Sequence, residues 1–131
     1  MKKLLFLLFM LPIMLGLNSC KSTNPPEPEK DAHEIIGHTY GYTQDANNYI
    51  RFYFSTSGQM QLVSCQDGTS SNVPHFTYTI STNLVEVYRD NSTYWSSDMR
   101  GTFCLFMTYS PDKDELYWQN GSSYMTLSRF N

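Results

Sequence analysis

The chain is poor in basic residues, in histidine and cysteine, and in long apolar runs, and each shortage closes off a class of function. Of its 9 Lys and Arg, two (Lys2 and Lys3) stand at the N-terminus, and the other seven are scattered singly among 12 Asp and Glu. Nucleic-acid binding rests largely on neutralising phosphates, so a mildly acidic chain without a Lys/Arg cluster is not expected to take nucleic acid as a partner. A zinc site needs three or four converging ligands, with Cys or His pairs at short spacing. His33 and His38 flank Glu34, but His75 lies on a separate strand signal, so neither a metal nor another cofactor is expected. Serines are many, yet none sits in a Gly-x-Ser-x-Gly elbow. Cys65 and Cys104 have no histidine near them in sequence to activate a thiol. Asp45, Asp67, Asp90, Asp98, Asp112 and Asp114 all fall in turn signals, where Asp serves local hydrogen bonding. Glu86 lies mid-strand, opposite Val85 and Val87, facing solvent. No catalytic residue is expected, and the chain reads as a binder rather than an enzyme.

The longest apolar stretch covers residues 4–17, too short for a helix that crosses a bilayer, which needs about 20 apolar residues. Lys2 and Lys3 precede it, Pro12 and Gly16 interrupt it, and Leu17-Asn18-Ser19-Cys20 ends it. A positive end, an apolar middle and a small-residue cleavage point are the parts of an export signal. Its last four residues resemble the lipobox of bacterial lipoproteins: an aliphatic residue, a tolerated one, a small one, then the modified cysteine. That resemblance implies a signal peptide at 1–19, cut before Cys20, with a diacylglycerol on the Cys20 sulfur and a further acyl chain, palmitate being typical, on its amine. The membrane is then a partner through lipid, and the chain belongs to the cell envelope. Lys21 is not the aspartate associated with inner-membrane retention, which points to the outer membrane. An ordinary secreted protein with an incidental Cys20 is the alternative. Residues 20–33 have no apolar face, and Pro25, Pro26 and Pro28 favour an extended, solvated tether. At about 3.1 Å per residue, ten such residues hold a domain roughly 30 Å from the lipid.

What remains, 34–131, suits one domain. Removing the signal leaves seven basic residues against 12 acidic, a net charge near −5. All 10 Tyr, both Trp and six of the 8 Phe follow Cys20, and such residues favour strands. Strand signals cover 34–42, 49–55, 59–66, 75–81, 84–89, 100–109, 115–119 and 122–130, separated by turn residues. Pro74 bars the fourth from starting earlier, and Asn120-Gly121 signals a two-residue hairpin. Alternation sends Ile50, Phe52 and Phe54 inward, with Met60, Leu62, Phe76, Tyr78, Ile80, Val85, Val87, Phe103, Leu105, Met107, Leu116, Trp118, Met125 and Leu127. It sends Tyr49, Tyr53, Tyr88, Tyr117 and Tyr124 outward. Eight strands on short links make an antiparallel up-and-down meander, which removes its exposed edges by closing into a small barrel. An all-β open sandwich is the second choice. Cys65 and Cys104 are available as a pair in an oxidising compartment. Alternation places each on the more polar face, and their strands are not neighbours in a meander, so a bridge stays open.

Residues 34–131 resemble the lipocalin-like domains of many small bacterial lipoproteins. The resemblance rests on Ile36-Gly37 followed by an aromatic residue, on eight hairpin-linked strands, and on a basic residue in the closing strand, Leu127-Ser128-Arg129. In lipocalins an arginine near the end of the barrel packs over a tryptophan of the first strand. Here Tyr40 stands in, one position late and with a different ring, and Arg129 should lie over it. The resemblance implies a carrier of a small apolar molecule inside the barrel. Eight-stranded barrels are about wide enough for side chains to fill, so a packed interior is the competing expectation. The loop at 90–98 sets Tyr94 and Trp95 among hydrogen-bonding residues, and such rings stack on sugars or anchor protein interfaces. Tyr94 and Trp95 are thus the ligand-binding candidates, for a small apolar molecule or a glycan at one end of the barrel. A protein-interaction, structural or inhibitory lipoprotein with a filled barrel and an envelope protein partner is the rival. Nothing in the pattern requires Trp95 to be buried, whereas Trp118, beside Leu116 on a strand, reads as core. Replacing Cys20→Ala should abolish metabolic fatty-acid labelling and release the protein from the membrane fraction; undiminished labelling would contradict the anchor.

Overall fold

The structure is a computed structural model describing residues 30–130. The expected signal peptide, Cys20 and the expected tether up to residue 29 lie outside the described residues. A short 3-10 turn at Ala32–Ile35 leads into eight strands: β1 Thr39–Asp45, β2 Asn48–Phe54, β3 Gln59–Gln66, β4 Thr69–Ser81, β5 Leu84–Arg89, β6 Phe103–Ser110, β7 Glu115–Asn120 and β8 Ser123–Phe130. Each pairs antiparallel with the next, and β8 returns to β1 through Thr39↔Phe130, Tyr40↔Arg129 and Gly41↔Ser128, closing the barrel. The open sandwich is excluded. Among the described residues no helix is long and apolar enough to cross a membrane.

Local chemistry sets the hairpins. Asp67 and Gly68 both adopt left-handed φ, 50° and 80°, which a two-residue turn between twisted strands needs and an Asp-Gly pair supplies. Gln66 therefore pairs directly with Thr69, and β4 starts there rather than after Pro74. The strand carries Pro74 through a bulge. Met60 pairs with Phe76 but Leu62 with Val73, so two steps on β3 face three on β4. A bulge frees the proline of the ladder bond that it cannot donate. The first strand is also shifted from its expected place. Asp31 caps the turn at Ala32–Ile35, its Oδ1 accepting from His33 N at 2.8 Å, and this delays β1 to Thr39.

The inward set is filled as alternation requires, with one exception. Phe52, Phe54, Met60, Val85, Val87, Met107, Leu116 and Leu127 are at most 1% exposed, and Tyr40 and Tyr109 join them. Ile50, Leu62, Ile80, Leu105, Trp118 and Met125 are half-buried against that core. Phe103 is the exception, at 49% exposure. Val87 pairs with Leu105 but Tyr88 with Phe103, so Cys104 is an extra residue in a second bulge. That insertion reverses the faces: Phe103 turns outward, edge-on to Tyr88 with centroids 5.8 Å apart, and Cys104 packs against the core instead of the polar face. Cys65, on β3, pairs with Tyr49 and is buried; both thiols are unbridged.

The meander gives the barrel two unlike ends. At one, the 3-10 turn covers the opening, with Ala32 and Ile35 fully buried and Ala32 N donating to Thr82 O at 2.9 Å. Arg129 holds this end together. Its guanidinium carbon lies 5.7 Å from the Tyr40 ring centroid, as the resemblance implied. Its Nε donates to Tyr40 Oη at 3.2 Å and pairs with Asp114 Oδ2 at 3.0 Å, and its Nη2 donates to Glu34 O at 3.0 Å. Asp114 Oδ1 accepts from Tyr40 Oη at 2.6 Å and Tyr109 Oη at 2.9 Å. One carboxylate and one guanidinium thereby join β1, β6, β8 and the β6–β7 turn.

Burial opposes ionisation of Asp114, but the two tyrosine hydrogen bonds and the charge of Arg129 outweigh it and hold the carboxyl below its ordinary 3.8. Burial and the bond to Asp114 push Tyr109 up to about 12, and the same causes raise Tyr40. A depressed carboxyl stabilises the fold above its ordinary pKa, and that stability disappears as pH falls through the lowered value. A raised tyrosine stabilises the fold below its ordinary pKa, and the contribution disappears as pH rises through the raised value. Denaturant stability should therefore fall on the acid side below about pH 4 and on the alkaline side above about pH 10. Asp114→Asn should flatten part of the acid limb and shrink the alkaline one. Unchanged limbs in that variant would contradict the assignment.

Candidate functional site

At the other end lie the β1–β2, β3–β4 and β7–β8 turns and the long β5–β6 connection that carries Tyr94 and Trp95. The structure separates these two rings. Trp95 is half-buried against the core: its Nε1 donates to His75 O at 2.7 Å and its ring centroid lies 5.4 Å from that of Phe76. The Arg89 guanidinium covers it at 5.4 Å. Its partners sit about twenty residues back, on β4, so the local polar sequence gave no sign of them. Tyr94 remains 54% exposed and stacks on the His75 ring, centroids 4.4 Å apart and 22° between planes. Trp95 is a lid on the barrel mouth, and Tyr94 is the ring that faces solvent. Trp118 is also half-buried, edge-on to Phe52 at 5.6 Å.

Beneath Tyr94, His75, Asp90 and Ser92 come together in an arrangement that differs from a nucleophilic triad. Ser92 Oγ donates to Asp90 Oδ1 at 2.5 Å and lies 3.3 Å from His75 Nδ1, while Asp90 Oδ2 is 3.6 Å from that same nitrogen. In a triad the imidazole stands between hydroxyl and carboxylate. Here both crowd one ring nitrogen, and the hydroxyl proton already belongs to the carboxylate. Burial works against the Asp90 charge, but the Ser92 hydroxyl and amide and the adjacent His75 keep its pKa below the ordinary value. The cluster fastens the connection to β4. Among the described residues no three His, Cys, Asp or Glu side chains converge as a metal site requires.

A more open arrangement lies on the outside of the barrel. Outward residues of β6, β7 and β8 align through Thr108↔Tyr117↔Thr126 and Gln119↔Tyr124, and Phe106 stands beside them, opposite Glu86. They line a groove of about 630 Å³ whose walls are Phe106, Tyr117 and Tyr124 and whose polar groups are Thr108, Thr126 and Gln119. Phe106 is 44% and Tyr124 71% exposed, and the exposed Phe103, edge-on to a half-buried Tyr88, continues the aromatic surface toward β5. Tyr117 Oη is held by Glu115 at 3.0 Å and Tyr88 Oη by Glu86 at 2.7 Å, which raises the Tyr88 pKa. The outward tyrosines were legible from alternation. Phe106 was the missed signal: a phenylalanine on the solvent parity of a strand is unusual enough to mark a surface. No protein-family model, curated protein or solved structure matches the chain.

Trp95→Ala should lower the denaturation free energy by about 2–3 kcal/mol, less than the 3–5 of a fully enclosed ring. Tyr94→Ala should cost no more than about 1 kcal/mol, the worth of its stacking contacts. Equal losses in urea titrations would contradict the division between lid and exposed ring.

Proposed function

We propose that this chain is a lipid-anchored cell-envelope protein that binds through the outside of its barrel, as an interaction subunit of an envelope assembly. The observation that carries the reading is the Phe106–Tyr117–Tyr124 groove, continued by Phe103 and Tyr88, on a barrel with a tightly buried core of side chains. Contiguous exposed apolar surface rimmed by polar groups marks interaction sites, and tyrosine and phenylalanine are enriched where proteins meet. Lipid on Cys20 and the Pro-rich tether leave every face of the barrel free to approach a partner at an outer membrane.

A glycan on the same face is the second reading, favoured by the lining itself. The groove volume is within the roughly 300–1,000 Å³ of small-molecule sites. Rings alternate with neutral hydroxyl and amide groups, which suits the apolar and hydroxyl faces of a sugar.

A photoreactive residue at Tyr124, in cells with Cys20 intact, should give a discrete cross-linked protein. The same residue at Thr69, the first of β4, should not, and Phe106→Ser should suppress the Tyr124 adduct. A groove that serves glycan instead gives no protein adduct, but envelope polysaccharide should bind the purified domain and lose that binding in Phe106→Ser. Equal adducts from both positions, or neither adduct nor polysaccharide binding, would contradict the outer face as the site.

A further inference from the structure

On the neighbouring wall of the barrel, across the seam where β8 meets β1, the geometry points to a second binding site, one that takes a carboxylate carried on a ring of monosaccharide or aromatic size. Two neighbouring rows of outward residues form it. Phe130, Thr39, Tyr53 and Gln61 pair in sequence across β8, β1, β2 and β3, and Gly41, Arg51 and Val63 pair beside them. Between the rows runs a groove of about 290 Å³ lined by Thr39, Arg51, Tyr53, Gln61, Val63 and Phe130.

Arg51 gives the groove its chemistry. Its guanidinium carbon lies 4.4 Å from the Tyr49 ring centroid and 4.6 Å from that of Phe130, so two rings hold the cation in a fixed plane. Gly41 makes room for this. A Cβ there would stand 3.0 Å from Arg51 Cγ and 3.1 Å from Phe130 Cε2, besides meeting the backbone of Ile50 at 2.5 Å. Among the described residues, Arg129 pairs with Asp114, Arg89 donates to Thr102 and Phe103, and Arg100 donates to Ser92 and Trp95. Arg51 has no ion-pair partner there, and its Nε is shut off from solvent without an acceptor. No Asp or Glu lines the groove. In a domain of net negative charge, this is a lone cation kept clear of carboxylates, immobilised, and flanked by the hydroxyls of Thr39 and Tyr53.

That arrangement selects its ligand. The guanidinium edge offers parallel donors that match a planar carboxylate, and prior fixing by the rings removes the ordering cost of a long side chain. Gln61, fixed through its Nε2 bond to Asn72 Oδ1 at 2.7 Å, bounds the far wall. The Tyr53 ring, 41% exposed, and Phe130 give apolar surface to the ring that bears the carboxylate. The site stands apart from the Phe106 groove and does not depend on it.

The test is an NMR titration of the folded domain, at constant ionic strength, with sodium benzoate, sodium glucuronate, glucose and inorganic phosphate. At least one of the two carboxylates should give saturable shifts confined to Thr39, Arg51, Tyr53, Gln61 and Phe130, and glucose should give none. Arg51→Gln should weaken that binding at least tenfold, and Arg51→Lys, which keeps the charge but loses the fork, should weaken it comparably. If Arg51→Gln fails to fold, the lysine variant carries the comparison. Saturation by neither carboxylate, phosphate binding as tightly as the carboxylates, shifts with glucose, or a folded Arg51 variant that binds undiminished would each overturn the assignment.

Discussion

The contact between Arg129 and Tyr40 closes a meander that would otherwise end in two open edges. Seven of the eight strand pairings join neighbours in sequence, six of them through short turns and β5–β6 through its longer connection. The eighth, β8 with β1, brings together residues about ninety apart and must be held by something stronger than a turn. A guanidinium over a ring, sharing Asp114 with two tyrosine hydroxyls, supplies this. The cluster is half-buried, and its charges are matched one to one. Every polar group in it has a partner, which is the condition under which such a network rigidifies rather than weakens a fold.

Closure gives the sheet two unlike surfaces. A small eight-stranded barrel leaves little lumen, and here Phe52, Phe54, Met60, Met107, Leu116 and Leu127 pack it toward the end that the 3-10 turn covers, while Ile50, Leu62, Leu105, Trp118 and Met125 stay half-buried toward the end where Trp95 packs. The outer wall is unlike an ordinary solvated sheet. The β6–β8 wall carries a neutral aromatic groove and the neighbouring β8–β3 wall a cation pinned between rings. The bulge at Cys104 contributes directly, since it turns Phe103 out of the core and onto the first of these surfaces.

Much of this architecture was legible in the chain. Strict alternation in Tyr49 to Phe54 fixed the faces of β2, Asn120-Gly121 marked the last hairpin, and the pairing of Arg129 with Tyr40 followed from the resemblance of the two ends of the domain to lipocalin-like sequences. What stayed hidden depends on parity or on distance. A bulge changes which residues share a face without changing composition, so Phe103 and Cys104 were assigned to the wrong sides. Pro74 reads as a strand breaker until a bulge is there to absorb it, and Asp67-Gly68 was the better signal. Asp114 looks like any turn aspartate because its partners come from β1, β6 and β8. Trp95 looks exposed because Phe76 and His75 are remote in sequence. Gly41, lying among strand formers, was the one local hint that something large must pass over β1.

Native-state hydrogen exchange across the β1–β8 seam tests the central claim, that the Arg129 cluster locks the barrel shut. In the unaltered domain the ladder amides of β1 and β8 should open only with global unfolding, at the same free energy as the core amides of β2 and β5. In Arg129→Gln the seam amides alone should acquire a lower-energy opening while β2 and β5 follow the overall loss of stability. Seam amides that exchange early in the unaltered domain, or that are no more affected by Arg129→Gln than those of β5, would contradict it.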